Sequence, residues 1–205
     1  MERYDPPVER RRGDGGASRM LEIVIQGRGG QGAQTAGQLL AAAFFAAGRD
    51  VQCFASYGGA RRGTPVSSYL RVDDRPVRLR CDIERADAIL CFDASLLAAP
   101  LLACADDSTI VVVNSALARA EFAQALPAHR VVPVDGLDIS RRHGLGRIVN
   151  SALLGALARA LGAPTLPVLE ATLVERSPKL HAQNIAACEE GWHAADALLR
   201  AEPVR

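Results

Sequence analysis

The amino-acid sequence predicts an α/β protein: an open, mainly parallel sheet with flanking helices, Rossmann-like, with a β-hairpin inserted into it. Three observations carry that expectation. Residues 21–48, LEIVIQGRGGQGAQTAGQLLAAAFFAAG, run from a β-branched apolar segment through four glycines in six residues into a long alanine-rich stretch, which reads as strand, tight turn and helix. Further short apolar runs alternate with helical stretches, as a parallel sheet requires. Residues 65–80, PVSSYLRVDDRPVRLR, hold two strand-like runs joined by Asp73-Asp74-Arg75-Pro76, a hairpin signal.

The elements follow in order. Residues 1–19 combine proline, glycine and charge without periodicity and are expected to form a flexible tail ahead of a single domain over 20–205. MLEIVIQ (20–26) is a buried strand bounded by glycine, and residues 33–48 form a helix ended by Gly48. DVQCFASYG (50–58) is the second strand. RADAILCFD (85–93) and STIVVVNSA (108–116) read as further buried strands, and HRVVPVDG (129–136) as an edge strand. Three helical stretches close the chain, over 146–162, 167–177 and 178–200.

Composition narrows the function classes. At 205 residues, 49% hydrophobic and 23% charged, the chain has room for one well-buried domain. A net charge of +1 supplies no global field toward nucleic acid or an anionic membrane, so neither is expected as a partner. All but one of the basic residues are arginine, Lys179 being the exception, which reads as coding bias. Cys53, Cys81, Cys91, Cys104 and Cys188 are odd in number and form no C-x-x-C pair, so no disulfide framework, zinc site or iron–sulfur cradle is expected, and a reducing cytoplasm fits. The N-terminal residues lack a secretory apolar core, and no run approaches the ~18 apolar residues of a membrane span. His129, His143, His181 and His193 are scattered, and no serine sits in a G-x-S-x-G elbow, so neither a metal site nor a hydrolase triad is indicated.

The glycine turn is the first candidate site. Gly27, Gly29 and Gly32 satisfy G-x-G-x-x-G between a strand and a helix, where backbone N–H groups and the helix dipole favour an anion. The second strand ends in Phe54, Ala55, Ser56 and Tyr57 without the carboxylate that would bond a ribose, so an NAD reading lacks its second support. Two readings stay open, a phosphate or cofactor contact and a turn whose glycines serve only close packing. The loop SYGGARRGTP (56–65) would meet it at the same sheet rim, where Arg61 and Arg62 are either anion-binding forks or a solvated pair. Cys53 reads as a small core hydrophobe. Asn150 begins a stripe with Leu154, Gly155 and Ala158 and either caps or bridges a loop or contacts a ligand, and Trp192 is either a core or an interface anchor.

The stretch GRGGQGAQTAGQLLAAAFFAAGRDVQCFASYGGARRGTPVSSYLRVDDRPV resembles the gamma subunit, or gamma domain, of the 2-oxoacid:acceptor oxidoreductases, the pyruvate:ferredoxin oxidoreductase group. Gly27, Arg28, Gly29, Gly30, Gln31 and Gly32 match that family's glycine turn. Tyr57, Gly58, Arg62 and Gly63 match its aromatic-Gly-x-x-x-Arg-Gly loop, with Arg61 adjoining, and Asn150, Leu154 and Gly155 match its Asn-x-x-x-Leu-Gly-Ala-Leu helix. The similarity spans most of residues 21–160. It implies a part of a multi-subunit enzyme that oxidatively decarboxylates a 2-oxoacid with coenzyme A to acyl-CoA and CO2, electrons passing to ferredoxin or a similar acceptor. It also implies that this chain contacts coenzyme A, and that alpha, beta and ferredoxin-like delta partners, or fusions of them, hold thiamine diphosphate and 4Fe–4S clusters. Gly13-Asp14-Gly15 opens like a thiamine-binding motif but precedes no helix and is a chance match. The indolepyruvate oxidoreductase beta chain, which has a similar turn and loop, and a stand-alone nucleotide-binding regulator or reductase are the alternatives.

Overall fold

The computed structural model describes residues 19–57, 63–177 and 179–201. The tail expected over 1–19 therefore lies, apart from Arg19, outside the described residues. The chain builds a six-stranded sheet in which β1 (Leu21–Arg28), β2 (Asp50–Tyr57), β3 (Pro65–Asp73), β4 (Ala88–Cys91), β5 (Ile110–Asn114) and β6 (Arg130–Val134) lie in the order β2-β3-β1-β4-β5-β6. β3 is antiparallel to both of its neighbours, while β1, β4, β5 and β6 are parallel to one another. Five strands thus point one way, and the sheet is mostly parallel, as expected.

Alternation along the strands divides the apolar residues between two faces. Ile23, Ile25, Leu70, Val72, Leu90, Val112 and Val132 face one layer, built from α1 (Ala33–Ala46), α5 (Asn150–Leu161), α6 (Leu166–Arg176) and α7 (His181–Arg200). Val24, Ile89, Val111, Val113 and Val131 face the other, where Leu101 of α2 (Ala99–Leu102) and Phe122 of α3 (Arg119–Ala125) cover them. A short α4 (Gly136–Arg142) follows β6, its first turn capped by the Asp135 carboxylate, which accepts the Asp138 N–H at 2.9 Å.

The hairpin exists, but not over 65–80. It is formed by β2 and β3, and residues 76–80 form no strand. Because β3 is flanked by β1 on one edge and β2 on the other, it has no free ladder to offer the following segment. That segment is fastened by a side chain instead. The buried Arg71 guanidinium donates to the carbonyls of Cys81 at 2.7 Å and Asp82 at 3.1 Å, and its charge is met by Glu22 at 2.8 Å. Residues 76–80, despite their alternating pattern, form no strand and lead into the Cys81 and Asp82 carbonyls that Arg71 holds.

α5 is the centre of the helical layer, with all nine residues from Asn150 to Ala158 buried. It meets α7 at backbone distance. A methyl group built on Gly155 would lie 2.0 Å from the Cys188 carbonyl oxygen, and one on Gly191 would lie 1.9 Å from the Ala152 carbonyl oxygen. Each glycine leaves room for the other helix's main chain. Trp192 packs beside this contact against the core, with the Arg159 guanidinium 6.0 Å from its ring centre.

Gly155→Ala and Gly191→Ala are each expected to destabilise the protein by about 3 kcal/mol, because backbone cannot step aside as a side chain can; urea denaturation of each variant checks this. A second test concerns Glu170 on α6, whose pKa is raised by burial and then by the nearby Glu189 carboxylate. An acid whose folded pKa is raised is bound more tightly to its proton in the folded state, so it weakens the fold as pH rises through that value. Glu170→Gln should raise the melting temperature at neutral pH, and the gap should shrink toward zero as pH is lowered to about 4, the ordinary range of a free glutamate.

Candidate functional site

The strand order reverses direction between β1 and β4. From β1 the chain moves outward to β2, and from β3 it returns to β4 on the other side. In open α/β sheets this switch point, at the carboxyl ends of the strands, is where ligands bind. The glycine turn leaves β1 at this place, and Phe92 and Asp93 leave β4 beside it.

The turn is tightly specified. The Arg28 N–H donates to Gln31 Oε1 at 2.6 Å, and the Gln31 N–H donates to the Arg28 carbonyl at 2.9 Å. Gly30 and Gly32 take φ of 95° and 96°, a region closed to most side chains. At Gly32 space is closed as well, since an added methyl carbon would lie 2.7 Å from Asn150 Oδ1. Asn150, buried at the start of α5, donates through Nδ2 to the Gly32 carbonyl at 3.3 Å and so bridges the turn to the helical layer.

The hairpin tip meets the same turn. The Gly29 N–H donates to the Thr64 carbonyl at 2.9 Å, and the exposed Tyr57 hydroxyl donates to Gln34 Oε1 in the first turn of α1. Gly27, Arg28, Gly29, Gly30, Gln31, Gly32, Tyr57, Gly63 and Asn150 are therefore brought together. Gly58, Arg61 and Arg62 lie outside the described residues, although both residues that bracket them, Tyr57 and Gly63, stand at this rim.

Two residues at the site have no counterpart in the sequence reading. Asp93 accepts Arg28 Nε at 2.7 Å, and Ser95 Oγ accepts Arg28 Nη2 at 2.7 Å. Burial works against the charged form of Asp93, but the Ser95 hydroxyl, the Arg28 guanidinium and the Ser95 backbone N–H outweigh it and hold the carboxyl below its usual range. A local signal was present in Asp93-Ala94-Ser95, an aspartate capping a short turn directly after a buried strand. Its pairing with Arg28, 65 residues away, had none.

Burial keeps Cys53, Cys91, Cys104 and Cys188 in the thiol form. Burial raises Cys53, only partly opposed by its contact with Ser68, and pushes Cys91 up to about 11 and Cys188 up to about 12. All five cysteines are free. Among the described residues no group of three or more His, Cys, Asp or Glu gathers as a metal site would require, and no helix is long and apolar enough to cross a membrane.

A mostly parallel sheet with a glycine turn and a cationic side chain at its switch point defines a Rossmann-like α/β domain. Comparison with known proteins makes this particular. The profile of the pyruvate ferredoxin/flavodoxin oxidoreductase family matches residues 22–194. The chain is 36% identical over 178 residues to the pyruvate/ketoisovalerate oxidoreductases common subunit gamma of Thermococcus kodakarensis, covering 85% of this chain and 96% of that one. It is 32% identical to the pyruvate synthase subunit PorC of Thermotoga maritima, covering 82% of this chain and 88% of the other. Among solved structures, the pyruvate oxidoreductase subunit PORC from Thermotoga maritima aligns with a TM-score of 0.76 at 29% identity, over 86% of this chain and 97% of that one. A 2-oxoglutarate:ferredoxin oxidoreductase from Magnetococcus marinus shares the fold, with a TM-score of 0.71 at 22% identity, over 92% of this chain and 33% of that longer one. The chain belongs to the pyruvate ferredoxin/flavodoxin oxidoreductase family, as a subunit of its gamma, or PorC, type.

The bridge between Asn150 and Gly32 can be tested by a double-mutant cycle. Gly30→Ala should cost about 1–2 kcal/mol for the positive φ alone, and Gly32→Ala more, because it also strikes Asn150. Gly32→Ala combined with Asn150→Ala should destabilise less than the sum of the two single variants, since removing the amide opens the space the methyl needs. Denaturation midpoints of the four proteins check this.

Proposed function

We propose that this chain is the gamma component of an enzyme that converts a 2-oxoacid and coenzyme A to acyl-CoA and CO2, and that its glycine turn and arginine loop bind the coenzyme A. The carbon–carbon bond to the carboxylate breaks, a thioester forms, and one proton and an electron pair leave, the electrons going to ferredoxin or a similar acceptor. The observation that carries the reading is the junction of the turn with the hairpin tip, Gly29 N–H on the Thr64 carbonyl, at the switch point of a sheet whose relatives are gamma subunits of such enzymes. The Magnetococcus marinus enzyme, which shares the fold, has coenzyme A and succinyl-CoA bound. Arg28 stands at the junction, and Arg61 and Arg62 belong to the loop between Tyr57 and Gly63.

The residues of this chain do not fit an iron–sulfur cluster, because the five thiols are spread over separate elements and those of Cys91 and Cys188 are buried. Nor does any acidic cluster among the described residues fit the divalent ion of a diphosphate cofactor. In this reading both groups are carried by alpha, beta and delta companions. The chain's own work is to bind the coenzyme, orient its thiol end and wall off the shared cleft, in the cytoplasm, where free thiols persist.

Arg62→Ala in the assembled enzyme is expected to raise the coenzyme A KM roughly 10- to 100-fold, as the loss of a charge-assisted hydrogen bond would, while the 2-oxoacid KM moves little. Arg62→Lys should recover only part of the loss, since a point charge replaces a planar fork. Steady-state kinetics with each substrate varied in turn decide the matter. An unchanged coenzyme A KM in the double Arg61→Ala, Arg62→Ala variant, with assembly intact, would remove the arginine loop from the site.

A further inference from the structure

Arg28 leaves β1 within the glycine turn, and its side chain crosses the switch point to the end of β4. There it is held along one edge. Nε donates to Asp93 Oδ2 and Nη2 to Ser95 Oγ, each at 2.7 Å, whereas Nη1 stands 3.4 Å from the Gly63 carbonyl, at the limit of a hydrogen bond. A guanidinium presents five N–H donors in a rigid plane. With Nε and one Nη2 hydrogen engaged, and Nη1 met among the described residues only by the long contact to Gly63, the fork made by Nη1 and the second Nη2 hydrogen keeps capacity for a further acceptor.

Asp93 is itself fixed. Its Oδ1 accepts the Ser95 N–H at 3.0 Å and the Ser95 hydroxyl at 2.6 Å, and Gln31 Nε2 approaches Oδ2 at 3.5 Å while Gln31 Oε1 accepts the Arg28 N–H. The network closes on itself, from turn to strand end and back. Its energetic return as an ion pair is small, because the Arg28 side chain is 39% exposed and the Asp93 side chain 24%. What it achieves is geometric. A free arginine on this rim would move among many rotamers and lose that freedom on meeting a ligand, whereas Arg28 has already lost it. The paired charges cancel at a distance, so the network supplies a fork of fixed direction rather than long-range attraction.

We infer that Asp93, with Ser95 behind it, is a positioning residue for coenzyme A: it holds Arg28 by the inner edge so that the outer fork receives a phosphate group. The inference rests on the reading of the turn as a coenzyme A site. Asp93 acts through Arg28 and touches no substrate, which separates it from a contact residue and makes the two distinguishable.

The test uses the enzyme assembled with its companion subunits. Arg28→Ala should raise the coenzyme A KM roughly 10-fold or more, and Asp93→Asn, which keeps the shape and removes the charge, roughly 3- to 10-fold, with kcat and the 2-oxoacid KM within about twofold. The double variant should be no worse than Arg28→Ala alone, a non-additivity that a merely structural role would not produce. Should Asp93→Asn fail to assemble, Ser95→Ala carries the same test: a coenzyme A KM raised roughly two- to threefold supports the inference and an unchanged one overturns it. A raised KM in Arg28→Ala with none in Asp93→Asn, or losses that add fully in the double variant, would also overturn it while leaving the coenzyme A reading intact. If Arg28→Ala and Arg62→Ala both leave the coenzyme A KM unchanged, the reading of the site fails and the inference with it.

Discussion

The contact of α5 with α7, main chain against main chain, is the constraint on which the rim depends. Gly155 and Gly191 bring the two helices so close that neither can slide or rotate without carbonyl oxygens colliding with Cα atoms. α5 is thereby fixed against the sheet along its buried length, and its first residue is Asn150. Through the Asn150 amide the helix pair reaches the Gly32 carbonyl and sets where the glycine turn stands. A turn held by a few backbone and side-chain hydrogen bonds needs such backing, because displacements of an ångström are large on the scale of those bonds.

The rim is built from three sources that are distant in sequence. The turn follows β1, Asp93 follows β4, and Thr64 comes from the tip of the β2–β3 hairpin. The antiparallel β3, lying between β1 and β2, brings that tip to the carboxyl ends of the parallel strands. A β1–α1–β2 unit with β2 directly beside β1 would place a helix, not a hairpin loop, after its second strand. The inserted strand is thus what allows Thr64, Tyr57 and the glycine turn to share one edge of the sheet.

Much of this was legible in the residues. The strand, glycine turn and helix over 21–48 were readable because each depends on local chemistry: β-branched residues, glycines and an alanine-rich run within one short window. β4, β5 and β6 were legible as apolar runs, and α5, α6 and α7 by their length and period. The hairpin was misplaced because edge occupancy is a property of the whole sheet, and because Arg71, which holds the Cys81 and Asp82 carbonyls, looks like any other arginine in a strand. α3 and α4 went unread because a helix of seven residues carries too few turns to show a period. Gly191 was invisible for a related reason: a glycine within a helix has meaning only once the facing helix is known. Asp93 belongs to the same class, since its partner comes from another strand.

The meeting of α5 and α7 also orders events in time. Synthesis runs from the N-terminus, and every strand of the sheet, together with α1 and α5, emerges before Gly191 does. Until α7 arrives, the groove that receives Cys188 and Gly191 stays open along α5, with Ala152, Gly155 and their apolar neighbours facing water. The helix that backs the rim therefore gains its support from α7, which follows every strand of the sheet in the sequence. A nascent chain can lay out the strands of its sheet, but it acquires a fixed rim only when α7 has docked on α5.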